Sequence, residues 1–459
     1  MDLNFNNIHK FTFDDLNILI DINTGILHVI DETTFDLLDK VEGLGSFEAA
    51  QDSLKNKYTE SELTESTTEL QDLISKGMLF TPEKEILEYK PTSNPIVKAL
   101  CLHIAHDCNL RCTYCFAGQG PYGGDRSLMS EEVGKKSIDF LLQASGPRKH
   151  VEIDFFGGEP LLNLDVVKKL VEYGKEKAAE AGKQMKFTIT SNCVLLTDDV
   201  QKYLNDNDIS CVLSIDGRKE INDKMRPFAG GQGSYDIIKD KIVNFTKSRQ
   251  GKEFFVRGTF TRNNLDFVED VKHLVEEGID ILSLEPVVSD ENVDYAFKEE
   301  DIPTLKEEYE KLTRYYLDCY EKGKGFNFFH FNVDLNQGPC LPKRLSGCGA
   351  GHEYLAVSPT GDLYPCHQFV EREEFKVGHV DTGVTRPEIG KEFQNAHVLN
   401  KPECRECWAR FYCSGGCHNN NLQFRESLLK PYKTTCELQK KRTECALYLQ
   451  VTKYLNNNV

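Results

Sequence analysis

The sequence lacks the segments that carry a chain into or across a membrane. No apolar run approaches the roughly 18 residues that span a bilayer, and the N-terminal stretch MDLNFNNIHKF has no basic segment followed by an apolar one. Positive charge is also scarce, since 55 Lys and Arg face 73 Asp and Glu for a net charge of −18. A general binder of the phosphate backbone needs a basic face. We therefore expect a cytoplasmic protein that engages neither membranes nor nucleic acid.

Cysteine is too sparse for a small disulfide scaffold, with 16 cysteines among 459 residues. In a reducing cytoplasm, clustered thiols bind metal more often than they form disulfides. Residues 1–85 contain no cysteine, and the 12 histidines form no HExxH pair. Metal chemistry is therefore expected beyond residue 85, with cysteine ligands. Four cysteines stand singly in strand-like or helical patterns and are predicted to pack in the core: Cys101, Cys211, Cys319 and Cys445.

Residues 1–85 are predicted to form a small α+β domain. The stretch KFTFDDLNILIDINTGILHVI has the pattern of two strands joined at residues 23–25. Three helical stretches follow near residues 32–41, 46–56 and 60–76, and GMLFT is expected to add a short closing strand. The proline-containing stretch EKEILEYKPTSNP is typical of a linker.

Residues 97–320 alternate between strand-like and helical stretches. The strand-like runs are ALCLHIA, VEIDFF, MKFTITS, ISCVLSID, FFVRGTF and DILSLEPV. This α/β alternation predicts parallel strands with crossover helices, in an open sheet or a partial barrel. Residues 321–459 are rich in loops and carry most of the remaining cysteines, so metal would supply much of their stability.

Three cysteines stand just after the first of these strands, in CNLRCTYCF. Cys108, Cys112 and Cys115 have C-x3-C-x2-C spacing, whereas structural zinc sites and iron–sulfur clusters normally take four protein ligands. One interpretation is a zinc site completed by His103 or His106. The other is a 4Fe–4S cluster with one iron free to bind a small molecule through an amine and a carboxylate.

This spacing, with the aromatic Tyr114, resembles the signature of radical S-adenosylmethionine (SAM) enzymes. The resemblance implies a partial (β/α)6 barrel in which SAM occupies the open iron. It also implies a SAM amino group near Glu159, ribose contacts in TITSNC and a carboxylate contact at Arg226. The strand-end motifs FFGGEP and LSIDG contribute further positions, although Ser214 and Asp216 fit ordinary strand-end capping equally well. The implied SAM-binding residues are Tyr114, Phe116, Gly157, Gly158, Glu159, Ser191, Asn192, Ser214, Asp216 and Arg226.

The C-terminal cysteines resemble the SPASM domain, which holds two auxiliary 4Fe–4S clusters. The resemblance implies three such clusters in the whole chain. Cluster I takes Cys348, Cys366 and Cys417, and cluster II takes Cys404, Cys407, Cys413 and Cys436. The fourth ligand of cluster I is either Cys340 or a substrate thiolate at an open iron. A pair of zinc ribbons is the alternative that the spacing alone allows.

Residues 1–85 resemble the PqqD-like recognition domain, a small winged-helix-like fold. In relatives, a leader peptide adds as an extra strand to its sheet. The alternative is a domain that serves packing alone.

The whole chain resembles maturases of ribosomally made peptides, within them the sactisynthase type that acts on six-cysteine SCIFF precursors. The resemblance implies a thioether bond between a cysteine sulfur and a carbon of a cysteine-rich precursor. A low-potential donor supplies one electron, a 5′-deoxyadenosyl radical removes a hydrogen atom, and one electron leaves through an auxiliary cluster. The sequence assigns no catalytic base. The alternatives are an anaerobic sulfatase-maturing enzyme and a non-catalytic iron–sulfur or zinc peptide-binding scaffold.

Overall fold

The computed structural model describes residues 3–83, 90–92, 96–333, 335 and 341–458. Its N-terminal part is an antiparallel sheet in the order β1-β2-β3, covered on one face by three helices. The strands are β1 (Ile8–Phe13), β2 (Leu16–Asp21) and β3 (Leu27–Ile30). The helices are α1 (Glu32–Leu44), α2 (Phe47–Leu54) and α3 (Glu60–Ser75). The three predicted helices are present.

The predicted turn at residues 23–25 is present and joins β2 to β3, which pair antiparallel. The predicted single strand before it is wrong, because a second turn at Asp14 divides it into β1 and β2. Asp14 has a φ of 47°, a left-handed conformation that Asp tolerates better than most residues. The predicted closing strand in GMLFT is also wrong, since residues 77–81 are described as turns and bends.

The middle strand β2 is buried on both faces. Leu19 packs with the three helices, whereas Ile18 and Ile20 pack with the core of the main body. On β1, the Phe13 ring stacks on Tyr448 with centroids 4.1 Å apart. The N-terminal sheet is therefore held between its own helices and the rest of the protein.

The central part contains all six predicted strands, and the predicted α/β class with a parallel sheet is confirmed. Strands β4 to β10 pair in parallel in chain order. The strands are β4 (Ala99–Ala105), β5 (His150–Gly157), β6 (Gln184–Ser191), β7 (Ser210–Ser214), β8 (Phe254–Phe260), β9 (Ile281–Pro286) and β10 (Asn327–Phe328). The helices are α4 (Glu131–Ala144), α5 (Leu164–Glu180), α6 (Asp198–Asp206), α7 (Lys219–Met225), α8 (Tyr235–Ser248), α9 (Phe267–Glu276) and α10 (Ile302–Glu321).

The C-terminal part extends the same sheet from its other side. Its first strand pairs in parallel with β4, from Tyr354 opposite Ala99 to Val357 opposite Leu102, and the next three pair antiparallel. The strands are β11 (Tyr354–Val357), β12 (Asp362–Tyr364), β13 (Gly378–His379) and β14 (Gly383–Val384). The helices are α11 (Leu341–Ser346), α12 (Pro387–Asn395), α13 (Pro402–Arg405), α14 (Arg410–Cys413), α15 (His418–Arg425) and α16 (Lys433–Asn458). Among the described residues, we find no helix with the length and apolar character needed to cross a bilayer.

Candidate active site

The loop that follows β4 brings the first three cysteines to the carboxyl-terminal edge of the sheet. Its backbone is held against the segment after α7, because Arg111 N donates to Pro227 O at 2.7 Å and Thr113 N donates to Met225 O at 2.8 Å. Cys108, Cys112 and Cys115 lie close enough to interact electrostatically. Burial raises the pKa of Cys108 to about 12 and that of Cys112 to about 11. Binding to iron would replace these thiol protons.

The two glycines of FFGGEP pack directly against this loop. Gly157 has a φ of +123°, and a Cβ there would stand 2.3 Å from Ala105 O. A Cβ on Gly158 would stand 2.2 Å from Asp107 O and 3.1 Å from Cys108 Cβ. Both positions therefore need glycine so that the end of β5 can approach the first predicted iron ligand.

Glu159 joins the ends of two neighbouring strands through its side chain. Its fully buried carboxylate accepts hydrogen bonds from Ser191 Oγ at 2.9 Å and from Asn192 N at 2.7 Å. Burial raises its pKa to about 6, against the lowering effect of these hydrogen bonds. Asn192 extends the link, because its Nδ2 donates to Asn109 Oδ1 at 2.7 Å beside Cys108. Glu159 thus positions the predicted ribose contacts, and its own contact with SAM stays a prediction.

Asp216, Tyr114 and Arg226 form a buried polar group on the other side of the cysteine loop. Tyr114 Oη donates to Asp216 Oδ2 at 2.6 Å and accepts from Arg226 Nη1 at 2.8 Å. Burial raises the pKa of Asp216, although Arg226 and Tyr114 oppose the rise. Arg226 Nε is buried and has no hydrogen-bond partner. An unpaired guanidinium donor beside the cysteine loop fits the carboxylate of SAM, as predicted for Arg226. Ser214 is half-buried at the end of β7.

The two histidines of the zinc interpretation bond to each other. His103 Nδ1 lies 3.0 Å from His106 Nε2, and both rings contact the Tyr122 ring. Burial lowers the pKa of His106 to about 4. In the described ranges, no three His, Cys, Asp or Glu side chains are close enough to hold a single metal ion.

The ring of Phe116, which is 55% exposed, lies 5.6 Å from that of His367. Sequence patterns gave no signal for Tyr122 or His367.

The C-terminal cysteines form two sets of neighbouring thiols, and their assignment to two clusters stays a prediction. Cys366 interacts electrostatically with Cys348 and Cys417. Cys436 interacts in the same way with the other three thiols of the second group, Cys404, Cys407 and Cys413. A cavity of about 1220 Å³ borders all four thiols of that second group. These all-thiol donor sets fit iron–sulfur clusters. Cys340 lies outside the described residues.

The second group adjoins the N-terminal sheet. Trp408, next to Cys407, stacks on His9 of β1 with ring centroids 3.9 Å apart, and His9 Nε2 lies 3.0 Å from Glu444 Oε1. Arg410 Nη2 donates to Asn23 Oδ1 at 2.8 Å. Trp408 and Arg410 thus join the second group of cysteines to the N-terminal sheet.

Two family models match the chain. One describes a 4Fe-4S single cluster domain and covers residues 98–238. The other is SPASM, an iron-sulfur cluster-binding domain, and covers residues 348–408. Among curated relatives, the cysteine-type anaerobic sulfatase-maturating enzyme of Clostridium perfringens is 25% identical over 73% of this chain and 92% of the relative.

Two solved structures share the fold. Native anSMEcpe, solved with bound AdoMet and the Cp18Cys peptide, has a TM-score of 0.65 at 22% identity, covering 79% of this chain and 99% of that one. Streptococcus suis SuiB, bound to the precursor peptide SuiA, has a TM-score of 0.53 at 18% identity, covering 93% of this chain and 97% of that one. The fold is therefore that of enzymes with a parallel α/β core and a C-terminal SPASM domain.

Proposed function

We propose, from the premise that this chain is a radical SAM enzyme with a SPASM domain, that it forms thioether bonds in a cysteine-rich ribosomal peptide. The observation that carries the proposal is the N-terminal sheet, in which no described strand pairs with the outer edge of β3, while β1 docks beside the second thiol group. An enzyme that modifies a peptide needs a domain that recognises it, and the outer edge of β3 can bind a peptide as an added strand. Formation of a thioether bond is an oxidation, so it needs an electron acceptor near the substrate. The three sets of clustered cysteines can hold the iron–sulfur clusters that serve as such acceptors.

In this proposal the chain's own residues position SAM at the cysteine loop. Arg226 pairs with the SAM carboxylate, and Glu159 holds Ser191 and Asn192 at the ribose. When bound, SAM and three 4Fe–4S clusters would supply the radical chemistry, namely removal of one hydrogen atom from a peptide carbon and acceptance of the one electron released when the deprotonated cysteine sulfur bonds to that carbon. The net change in the peptide is the loss of two hydrogens per bridge.

The edge of β3 has the features of a strand-addition site. Val29 is 47% exposed, and no described strand pairs on the outer side of β3. Asp21 N donates to Ile26 O at 3.0 Å, and Ile18 lies opposite Val29. In a pair of antiparallel strands, residue pairs that are hydrogen-bonded to each other alternate with pairs that are not. Asp21 and Ile26 are a hydrogen-bonded pair, so Ile18 and Val29, three positions along, are not, and the N–H and C=O of Val29 point away from β2. They are available to an incoming leader peptide.

The function is tested by incubating the anaerobically reconstituted enzyme with SAM, a low-potential reductant and candidate cysteine-rich peptides. We expect a mass loss of about two hydrogens per bridge that persists after reduction, because a thioether is not cleaved by thiols. Each bridge should also remove one alkylatable cysteine. Conversion of a single Ser or Cys side chain to an aldehyde, without a bridge, would instead establish the sulfatase-maturing alternative. SAM cleavage with no peptide product from any candidate would contradict the proposal.

Val29→Pro is expected to weaken binding of the peptide that the enzyme modifies by about tenfold, since it removes one outward N–H and places a ring in the strand's path. The β2–β3 hydrogen bonds should survive, because Val29 does not contribute to them. Fluorescence anisotropy with a labelled copy of that peptide measures the affinity.

Val29→Thr is the matched control, because it changes the side chain and keeps the N–H group. It should bind the peptide like the parent enzyme, and both variants should cleave SAM at the parent rate without peptide. Equal affinities for the proline variant and the parent would exclude strand addition at β3.

A further inference from the structure

Lys401 is a fully buried cation in the C-terminal domain. Its side chain has 0% exposure, and its Nζ donates to Gly415 O at 2.7 Å. Gly415 has a φ of +84°, and a Cβ there would stand 3.0 Å from Nζ. A side chain at this position would press on the ammonium group, and the positive φ favours glycine there as well.

The ammonium group lies where the two C-terminal thiol groups meet. It interacts electrostatically with Cys404 and Cys413 of the second group and with Cys417 and Cys348 of the first. The loop at residues 414–416, which accepts its hydrogen bond, directly joins Cys413 to Cys417. All three loop residues have positive φ, a tight turn that keeps the two groups adjacent.

No carboxylate balances this charge. Within the described ranges, Lys401 forms no ion pair with Asp or Glu. Burial lowers the pKa of Lys401, and negative charge at the neighbouring cysteines opposes that effect. A buried charge without a counter-charge is strongly destabilising. Clusters ligated by thiolates carry net negative charge, which neutral thiols do not. The surroundings of Lys401 therefore fit an anionic cluster on each side of the lysine.

We propose that Lys401 is the charge-balancing residue shared by the two auxiliary clusters and that it raises the reduction potential of both. The inference rests on the two auxiliary clusters of the proposed function. A nearby fixed positive charge stabilises the reduced, more negative state of a cluster. Both clusters thereby become better acceptors for the electron released when the substrate is oxidised.

The test is Lys401→Gln in the full-length reconstituted enzyme. Glutamine keeps a donor for the Gly415 carbonyl and removes the charge. We expect the equilibrium constant for reduction of each auxiliary cluster to fall at least tenfold, which is a decrease of 59 mV for a one-electron couple. Redox titration followed by electron paramagnetic resonance measures all three clusters. The potential of the SAM-binding cluster should not change.

Lys440 is the matched control, because it interacts with Cys407 and Cys436 of the second group alone. Lys440→Gln should shift only cluster II, and Lys391→Gln, on the exposed face of α12, should shift neither. Unchanged potentials in Lys401→Gln, or a shift confined to one cluster, would overturn the shared role.

A loss of clusters from Lys401→Gln is resolved by Lys401→Arg, which restores the charge. Iron content recovered in the arginine variant supports charge balance, whereas loss in both variants shows a purely steric role and overturns the proposal. Parent enzyme without two auxiliary cluster signals would instead refute the proposed function, and iron analysis of the parent separates these results.

Discussion

Alanine in place of Cys108, Cys112 or Cys115 is expected to abolish SAM cleavage and to leave the C-terminal clusters intact. The three thiols are held on one loop between β4 and the end of α7, and no other cysteine of the described residues belongs to that group. Losing one ligand from a set of three leaves too few protein ligands to retain the cluster. Iron content should fall by about four of about twelve atoms, taking four irons per cluster. Chromatography of 5′-deoxyadenosine under anoxic reduction measures the cleavage.

Cys211→Ala is the control for loss of a buried cysteine outside the three groups. Cys211 lies on β7 and is buried, as predicted for a packing residue, together with Cys101, Cys319 and Cys445. Its replacement should reduce stability and preserve both iron content and SAM cleavage. Undiminished 5′-deoxyadenosine formation in any of the three loop variants would refute the SAM-binding assignment.

Gly158→Ala is expected to lower SAM cleavage at least tenfold, although it adds only one methyl group. The new Cβ would stand 2.2 Å from Asp107 O, so the backbone of the cysteine loop must move. Cys108 follows Asp107 directly, and its displacement misplaces one of three ligands. Overpacking of this kind costs about 1–3 kcal/mol of folding free energy. Thermal unfolding and the rate of 5′-deoxyadenosine formation measure the two effects.

Gly43→Ala provides the opposite case within the same protein. Gly43 lies in α1, and a Cβ there meets no atom within 4 Å. Alanine should therefore stabilise the helix by about 0.5–1 kcal/mol and leave catalysis unchanged. If Gly158→Ala behaved like Gly43→Ala, the close packing of FFGGEP on the cysteine loop would have no role in holding the cluster.

The barrel strands could be predicted from the sequence because their apolar runs are local and are separated by helical periodicity. The division of the first N-terminal strand into β1 and β2 could not be predicted, since the turn at Asp14 contains no glycine or proline to mark it. The stretch GMLFT has the composition of a strand, but after α3 it forms turns and bends and pairs with no described strand.

The candidate site was predictable where its chemistry lies in short motifs. The ten predicted cysteine ligands could be named from their spacing, and in the structure thiols of each predicted set lie near one another, while their binding of iron stays a prediction. The links between motifs could not be found in this way. Glu159 bonds to Ser191 and Asn192 across two strands, and Lys401 meets Gly415 through tertiary packing. Such contacts depend on how distant segments fold together, and no pattern along the chain encodes them.

The pairing of β11 with β4 has a consequence for any attempt to shorten the protein. Strand β4 has β5 on one side and β11 on the other, so its backbone hydrogen bonds are satisfied on both sides. A version that ends before residue 348 would turn β4 into an edge strand whose seven residues are all buried in the intact chain. Exposed apolar edges of this kind promote aggregation. The C-terminal strands therefore cover the edge of β4, and we expect a version of the protein without them to aggregate.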